Sequence, residues 1–468
     1  MSFEPTPKSR FLSVSEFRAI LGVALPLSFG YLADIALGFT DNVMLGRLGP
    51  DALGAAGLAL SLYNTLMIVG IGMIFPIMLL ISQARGVGRA RTAGRIIRQG
   101  LWIAGMLSIP SLAVLWNLET ILLLMGQDPL LAEMAAHYMD YYMWTILPAF
   151  TSFVFIYALT GMGRTMTISL ILWFKLALNA FLNYALIFGK FGFPAMGMAG
   201  AGLGSIIAYG VGHMAFFGAL GFHRFFQSGA LFRRAWQPRW DILTRLLQLG
   251  WPRGLELLAK NGLYAVMALL AGRLGIEAIA SHTIAYGVVS LLTVSISIAV
   301  GNAVSTHIGV ARGQEELSGA WGILNSGLLL ILLFILPVIV LIKLFSPWVV
   351  MLFVGSGLKA QSILPVAAPL VVLVTFFALM DGLRLVIGYA LHGLADMKMP
   401  SLITTLVSWG IGLPCGLVLV FVMNLGVMGL WWGITISTTI TTMVYLARFR
   451  WMIDAPTLHE VQTKMDHR

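Results

Sequence analysis

The chain has 468 residues, of which 59% are hydrophobic and only 10% are charged, and its mean hydropathy is +0.90. Soluble domains carry about one quarter charged residues, so this composition excludes an ordinary soluble enzyme. At roughly 20 to 25 residues for each membrane-spanning helix, the apolar residues suffice for about twelve spans. The formal net charge of +10 could indicate nucleic-acid binding, but the cytoplasmic loops of membrane proteins also carry an excess of Lys and Arg.

Long charge-free runs predict where the chain crosses the membrane, because only a helix satisfies the backbone in hydrocarbon over such lengths. The first apolar segment lacks a small-residue cleavage site and is too long for the hydrophobic region of a signal peptide, so it is predicted to be the first transmembrane helix. The run 399–447 has 49 charge-free residues and is interrupted at 424–426, which predicts a two-helix hairpin. Together with three apolar stretches that charges interrupt, around 19–45, 165–188 and 242–270, the predicted spans are 17–46, 53–81, 99–122, 136–161, 165–189, 196–222, 243–271, 278–308, 318–345, 362–392, 400–423 and 427–447.

The distribution of basic residues predicts the orientation of these spans. If the N-terminus is cytoplasmic, 20 of the 29 Lys and Arg residues fall on the cytoplasmic side and only five on the opposite side. This bias predicts that both termini are cytoplasmic, in the plasma membrane or, in a Gram-negative cell, the inner membrane. It also accounts for the positive charge without nucleic acid. The predicted organisation is an N-terminal tail (1–16), an N-lobe (17–222), a basic linker beside anionic lipid (223–242), a C-lobe (243–447) and a C-terminal tail (448–468).

An internal repeat divides the sequence near its midpoint. Pro26 precedes the segment 46–49 (GRLG) as Pro252 precedes 272–275, with an offset of 226 residues in both. The segments 157–161 and 389–393 recur at an offset of 232, and the spaced glycines Gly200 and Gly204 recur at an offset of 229. An even number of spans in each half makes the repeats parallel. The predicted fold is therefore an all-α polytopic membrane protein with twelve helices in two pseudo-symmetric six-helix bundles.

A few ionisable residues fall inside the predicted spans, where each costs several kcal/mol unless it is paired, buried or hydrated. Asp34 and Asp41 are two helical turns apart in the first span, and Asn179 and Asn183 share a face of the fifth. A carboxylate facing two carboxamides could bind a monovalent cation, or it could hold a protonated carboxyl. Lys175 is predicted to be structural, and the role of Asp34 is left open.

The second half contains two further sets of charged residues. Glu256 and Lys260 are four residues apart, with the acid first, which favours an intrahelical pair. Asp381 and Arg384 are three residues apart. The simplest expectation is two self-neutralising pairs that make insertion tolerable, and the burial cost makes Asp381 a functional candidate as well.

Segments in three regions of the chain resemble the MATE (multidrug and toxic compound extrusion) family, in its NorM-like branch. The segment 39–49 (FTDNVMLGRLG), which follows Pro26, is similar to the first-helix signature of that family. The segments 182–184 and 187–197 look like the NorM-type fifth helix and the loop after it, and 381–383 with 388–396 match the tenth-helix pattern. The resemblance covers nearly the whole chain in order.

The resemblance implies a transporter that exports organic cations or drugs in exchange for H⁺ or Na⁺. It implies that Asp41 is the N-lobe coupling acid, that Asn179, Asn183 and Ser205 complete its polar network, and that Asp381 is the C-lobe acid. The family pattern places a glutamate eight residues after Pro252, where this chain has Lys260. This departure predicts that Lys260 takes the place of a bound Na⁺ by pairing with Asp381 or Glu256, so H⁺ is favoured as the coupling ion and Na⁺ stays open.

Other functions fit the sequence less well. The eight histidines show no metal-ligand spacing and Cys415 is the single cysteine, so neither an enzyme nor a metal site is expected, and no cofactor is predicted. The alternative is a lipid-precursor or metabolite exporter or flippase of the same superfamily. That class would line its cavity with several basic residues, whereas only Arg253, Lys260 and Arg384 are candidates here. The expected partners are cationic or amphipathic small molecules and the lipid bilayer, and the chain is expected to be monomeric.

Overall fold

The computed structural model describes residues 13–221, 237–355 and 358–454. Twelve helices in these ranges are long and apolar enough to cross a membrane, as the charge-free runs predict, and no β-strand occurs there. They are α1 (Val14–Gly46), α2 (Pro50–Gly86), α3 (Ala90–Trp116), α4 (Pro129–Gly161), α5 (Thr165–Phe188), α6 (Gly197–Gly221), α7 (Trp240–Arg273), α8 (Ile276–Gly313), α9 (Ala320–Phe353), α10 (Ser362–Gly393), α11 (Lys398–Phe421) and α12 (Val427–Asp454).

Several predicted boundaries are wrong by up to about ten residues, for local reasons. The third span was expected to end at 122, but α3 ends at Trp116, and a separate short helix spans Leu118–Leu124. The fourth helix begins earlier than expected because the Asp128 carboxylate accepts hydrogen bonds from the backbone N–H groups of Leu130 (2.9 Å) and Leu131 (3.3 Å). Such a side chain satisfies helix donors that would otherwise lack partners.

The predicted hairpin at the end of the chain is confirmed. Between α11 and α12, Asn424 and Gly426 adopt left-handed backbone conformations, with φ angles of 53° and 56°. These residues reverse the chain, since asparagine and glycine tolerate positive φ better than other residues do.

The helices form two six-helix bundles, as the repeat predicts. In the N-lobe, α1 packs on α5, α5 on α6, and α4 on α2 and α6; in the C-lobe, α10 packs on α8, α9 and α12, and α11 packs on α12. The two lobes meet mainly where α2 contacts α7 and α8, and where α1 contacts α8. Residues 1–12, 222–236 and 455–468, which hold most of the predicted tails and linker, lie outside the described residues, so the lobe boundaries stay predictions.

Glycine backbones make the closest contacts between the lobes. A Cβ atom added to Gly72 of α2 would lie 2.6 Å from Gly254 Cα in α7, and one added to Gly250 would lie 2.2 Å from the Met73 carbonyl oxygen. At the end of α8, a Cβ atom on Gly313 would lie 2.3 Å from the carbonyl oxygen of Gln83. The lobes therefore approach to backbone contact near the end of α2, the start of α7 and the end of α8.

This contact predicts a large difference between two glycine substitutions in α2. Gly72→Ala should lower the free energy of unfolding by about 1–3 kcal/mol, because the added methyl group meets the backbone of Gly254 and nearby atoms rather than a flexible side chain. Gly57→Ala is the matched control: a Cβ atom there meets nothing within 4 Å, and alanine is the better helix former. Thermal unfolding of the purified variants measures both effects, and equal midpoints would contradict the backbone contact.

Candidate functional site

A buried polar network in the N-lobe centres on Asp41. Asp41 is only 4% exposed, and its Oδ1 accepts a hydrogen bond of 2.6 Å from Asn183 Nδ2. The same Asn183 nitrogen lies 3.4 Å from Asn179 Oδ1, and Asn179 Nδ2 donates to Ser205 Oγ at 3.2 Å. The structure thus joins the four N-lobe residues that sequence reasoning selected, across α1, α5 and α6.

Helix packing explains why this network can form. Asn179 and Asn183 are four residues apart and lie on one face of α5, which packs between α1 and α6. Gly204 of α6 lets the backbone approach closely: a Cβ atom there would lie 2.3 Å from Asn183 Oδ1. The sequence marked Gly204 only as part of the repeat, because its position against Asn183 depends on how α5 and α6 pack.

One acceptor in this network is unused. Asn183 Oδ1 is buried, and it has no hydrogen-bond partner among the described residues. A buried polar atom without a partner costs about 1–3 kcal/mol. The carboxylate of Asp41 and the amide and hydroxyl oxygens beside it are suitable ligands for a small monovalent cation, and they could equally hold a proton.

A second acid on α1 is already paired. Asp34 Oδ1 accepts a hydrogen bond of 2.8 Å from Lys175 Nζ, which fits the structural role predicted for Lys175. The Lys175 ammonium also lies 4.3 Å from the centre of the Tyr209 ring, which is a favourable cation–π contact. The Asp34 side chain is 43% exposed, so this acid, unlike Asp41, meets open space.

The C-lobe acid Asp381 is held by two cations. Arg384 donates to Asp381 Oδ1 from Nε (3.0 Å) and Nη2 (2.8 Å). Lys260 Nζ, on α7, donates to both oxygens of Asp381, at 3.1 and 3.2 Å. The expected Asp381–Arg384 pair is thus present, and Lys260 adds a bridge between α7 and α10.

The expected intrahelical pair between Glu256 and Lys260 is wrong, because other partners lie closer to each residue. Glu256 Oε2 accepts from Arg253 Nη1 at 2.8 Å and from Ser401 Oγ at 2.9 Å, and Glu256 Oε1 lies 3.9 Å from Arg384 Nη1. Within α7, Glu256 thus pairs with Arg253, three residues before it, and not with Lys260, four residues after it. Burial against α10 and α11 supplies partners that spacing within α7 cannot show.

The structure adds hydroxyl groups on α11 and α12 that sequence reasoning missed. In addition to Ser401, which contacts Glu256, Thr404 takes part: its Oγ1 accepts a hydrogen bond of 3.4 Å from Arg384 Nη1 and is also hydrogen-bonded to the hydroxyl of Tyr445. That hydroxyl lies 2.6 Å from the carbonyl oxygen of Pro400. The sequence signal that could have indicated these hydroxyl groups is the three-residue spacing of Ser401 and Thr404, which places both on one face of a predicted helix.

A cavity of about 340 Å³ lies between the lobes, within the usual range for small-molecule sites. Its charged lining residues are Asp34, Arg253 and Lys260. The Arg253 guanidinium lies 5.2 Å from the ring centre of Tyr389 and 5.6 Å from that of Phe75. The aromatic lining residues are Tyr31, Phe75, Phe153, Tyr157, Tyr264, Tyr286 and Tyr389.

Comparison with known proteins identifies the family. The sequence profile of the MatE family matches residues 26–185 and 252–418, one segment in each lobe. The chain belongs to the MATE family. The two matched segments begin at Pro26 and Pro252, the same landmarks that open the internal repeat.

Relatives in this family match the chain over almost its full length. The probable multidrug resistance protein NorM of Brucella suis is 31% identical over 96% of this chain and 95% of its own length. That of Mesorhizobium japonicum is 30% identical over 93% of each chain. The family and these relatives make this MATE protein a membrane transporter of the NorM type.

Solved structures share the fold of this MATE protein. A eukaryotic MATE transporter superposes with a TM-score of 0.82 at 18% identity, over 92% of this chain and 95% of its own. A MOP superfamily transporter from Pyrococcus furiosus superposes with a TM-score of 0.83 at 20% identity, over 97% and 99%. The arrangement of twelve helices is therefore shared even where few residues are.

The C-lobe cluster predicts a stability effect of removing one acid. Asp381→Asn should lower the free energy of unfolding by about 3–5 kcal/mol, because it leaves Lys260 and Arg384 buried without the carboxylate that both contact. Asp140→Asn is the control, since Asp140 is 68% exposed. Thermal unfolding of the purified proteins tests the prediction, and an Asp381→Asn protein as stable as the control would contradict it.

Proposed function

We propose that this MATE protein is a secondary active antiporter that exports organic cations and other amphipathic drugs in exchange for H⁺, by alternating access. The relatives named as multidrug resistance proteins support export of drugs. The observation that carries the coupling step is the buried network of Asp41, Asn183, Asn179 and Ser205. The protein acts as a monomer in the plasma membrane, and the distribution of basic residues supports cytoplasmic termini.

The unused acceptor of Asn183 supports a proton as the coupling ion. Asn183 Nδ2 donates to one Asp41 oxygen, while Asn183 Oδ1 is buried without a partner among the described residues. Protonation turns the second Asp41 oxygen into a hydrogen-bond donor, and a carboxylic acid and a carboxamide can exchange two hydrogen bonds face to face. Protonation also removes a buried charge from a network whose other members are neutral.

Helix α1 can connect this step to substrate binding. The same helix carries Asp41 and the cavity residues Tyr31 and Asp34. The Tyr31 hydroxyl accepts a hydrogen bond of 2.9 Å from Asn302 of α8, so α1 also contacts the other lobe. A change in α1 on protonation of Asp41 therefore reaches both the cavity wall and the contact between lobes. Couplings of this kind are typically about 1–3 kcal/mol.

The contact between the lobes supports alternating access. Glycine backbones close the lobes near the ends of α2 and α8, and the central cavity lies beyond that contact, at mid-helix positions. With cytoplasmic termini, the closed end is the cytoplasmic end, so this conformation presents its cavity to the outside. In the inward-facing state the same glycine contact would open.

In the C-lobe we propose that Lys260 takes the place of a bound cation. Its ammonium contacts both oxygens of Asp381, which Arg384 also holds. A Na⁺ ion at Asp381 would have to displace one of these cations and would meet strong repulsion from the other. The cavity lining includes two basic residues, Arg253 and Lys260, fewer than a flippase for lipid-linked precursors would be expected to need.

The proposal predicts that Asp41→Asn abolishes export driven by a gradient. Asparagine preserves the size and polar contacts of the side chain and cannot take up or release the coupling proton. The measurement is transport of a fluorescent organic cation in proteoliposomes under a pH gradient or a Na⁺ gradient, imposed separately. Asp51→Asn, which changes an exposed acid at the start of α2, is the control and should transport normally.

Two results would contradict this proposal. Normal transport by the Asp41→Asn protein would refute the coupling role of Asp41. Transport driven by Na⁺ at fixed pH, and lost when Asp381 is changed, would refute the assignment of H⁺ and the role of Lys260. Testing the wild-type protein with each gradient in turn distinguishes two questions: whether the protein is an antiporter, and which ion drives it.

A further inference from the structure

We propose that Lys260 forms an anion site in the central cavity, so that, among the organic cations and amphipathic drugs that the protein exports, aromatic molecules that also carry a carboxylate are preferred. This inference deepens the proposed function, since it rests on the cavity being the export site, and it names a chemical feature of the substrate. It follows from the charge balance of the C-lobe cluster, the exposure of its members and the lining of the cavity.

The C-lobe cluster has one more cation than it has acids. Its five ionised side chains are Arg253, Glu256, Lys260, Asp381 and Arg384, which sum to one net positive charge. Each acid has an arginine at 2.8 Å: Glu256 has Arg253, and Asp381 has Arg384. The charge left over after these pairs is that of Lys260.

The excess charge is also the most accessible of the five. The Lys260 side chain is 23% exposed, whereas the other four side chains of the cluster are between 1% and 6% exposed. Lys260 lines the central cavity, and Asp381, the acid that it contacts, lies behind it and is 1% exposed. Asp381 and Arg384 line a smaller neighbouring pocket together with Lys260, so Lys260 reaches the central cavity and the two acids of the cluster do not line it.

No uncompensated acid on the cavity wall offsets this charge, among the described residues that line it. The one lining carboxylate is that of Asp34, and Lys175 pairs with it at 2.8 Å. When the partners of these lining residues are counted, the charges around the cavity sum to one net positive charge, although Asp34 is 43% exposed and the walls are mostly apolar and aromatic. Tyr264 and Tyr286 stand beside Lys260 in the lining, with ring centres 5.0 Å apart.

An anionic group on a ligand would neutralise the one positive charge that remains in the C-lobe cluster. In a partly buried site two unit charges attract each other several times more strongly than in water. An ammonium that the protein's own acids do not neutralise therefore attracts an anionic group of a ligand. Aromatic walls add apolar contact for rings of a planar ligand. A carboxylate on an aromatic skeleton matches both features, while the same skeleton esterified keeps only the apolar contact.

Two rhodamine dyes test this inference because they differ in one group. Rhodamine 110 has a free carboxylate, and rhodamine 123 is its methyl ester. Equilibrium binding of each dye to the full-length protein in lipid nanodiscs, without any ion gradient, should show tighter binding of rhodamine 110 by about tenfold. Lys260→Gln should abolish that preference, and Lys260→Arg should keep it. Lys190→Gln, which removes an exposed lysine outside the cavity, is the control for net charge and should behave as wild type.

Each result of these binding measurements either supports or overturns the proposed anion site. Equal or weaker binding of rhodamine 110 by the wild-type protein overturns the inference without needing any variant to fold. A preference that persists in a folded Lys260→Gln protein overturns the role of Lys260. If chloride, compared with methanesulfonate, abolishes the preference, the site is one for inorganic anions and the proposed ligand class is wrong. Because no gradient is present, failure of H⁺-driven transport would refute the proposed function and leave these binding results intact.

Discussion

The cost of placing charge in a low-dielectric interior governs the chemistry of this transporter. An ionised side chain at membrane depth is tolerated only if other groups replace the water that it loses. Asp381 meets this condition through Arg384 on its own helix and Lys260 on α7. Glu256 meets it through Arg253 on its own helix and Ser401 on α11, and Asp34 meets it through Lys175. The same pairs that make insertion possible therefore also tie α1 to α5 and α7 to α10.

The two lobes share an arrangement of helices and differ in the groups that contact their buried acids. In the N-lobe, Asp41 contacts an amide nitrogen of Asn183, which is neutral, so the carboxylate can change its protonation state without breaking an ion pair. In the C-lobe, Asp381 touches two cations, and a proton there would have to compete with both. The lobes thus share the symmetry of their helices, while the buried acids have different partners: neutral Asn183 at Asp41, and the cations Lys260 and Arg384 at Asp381.

The helices and the two-lobe organisation could be predicted from sequence because both follow from signals local to the chain. Apolar runs locate the spans, and nearly constant offsets between landmarks such as Pro26 and Pro252 locate the repeat. The partners of buried charges are harder to predict from sequence, because they depend on which helices face each other. Lys260 pairs with Asp381, one of the two partners expected for it, whereas Glu256 pairs with Arg253 on the same helix and not with Lys260. For the same reason, the contact between Gly204 and Asn183 was not foreseeable.

The glycine contact between α2 and α7 has a consequence for the speed of conformational change. Where helices interlock through long side chains, separating them requires many side chains to change rotamer, and joining them again costs the entropy of fixing each one. Gly72 and Gly254 have no side chains to rearrange, so the two surfaces can part and rejoin with little reordering. At these two glycines the contact between the lobes is thus tight and has no glycine side chain to reorder when it opens, which suits the alternating access proposed above.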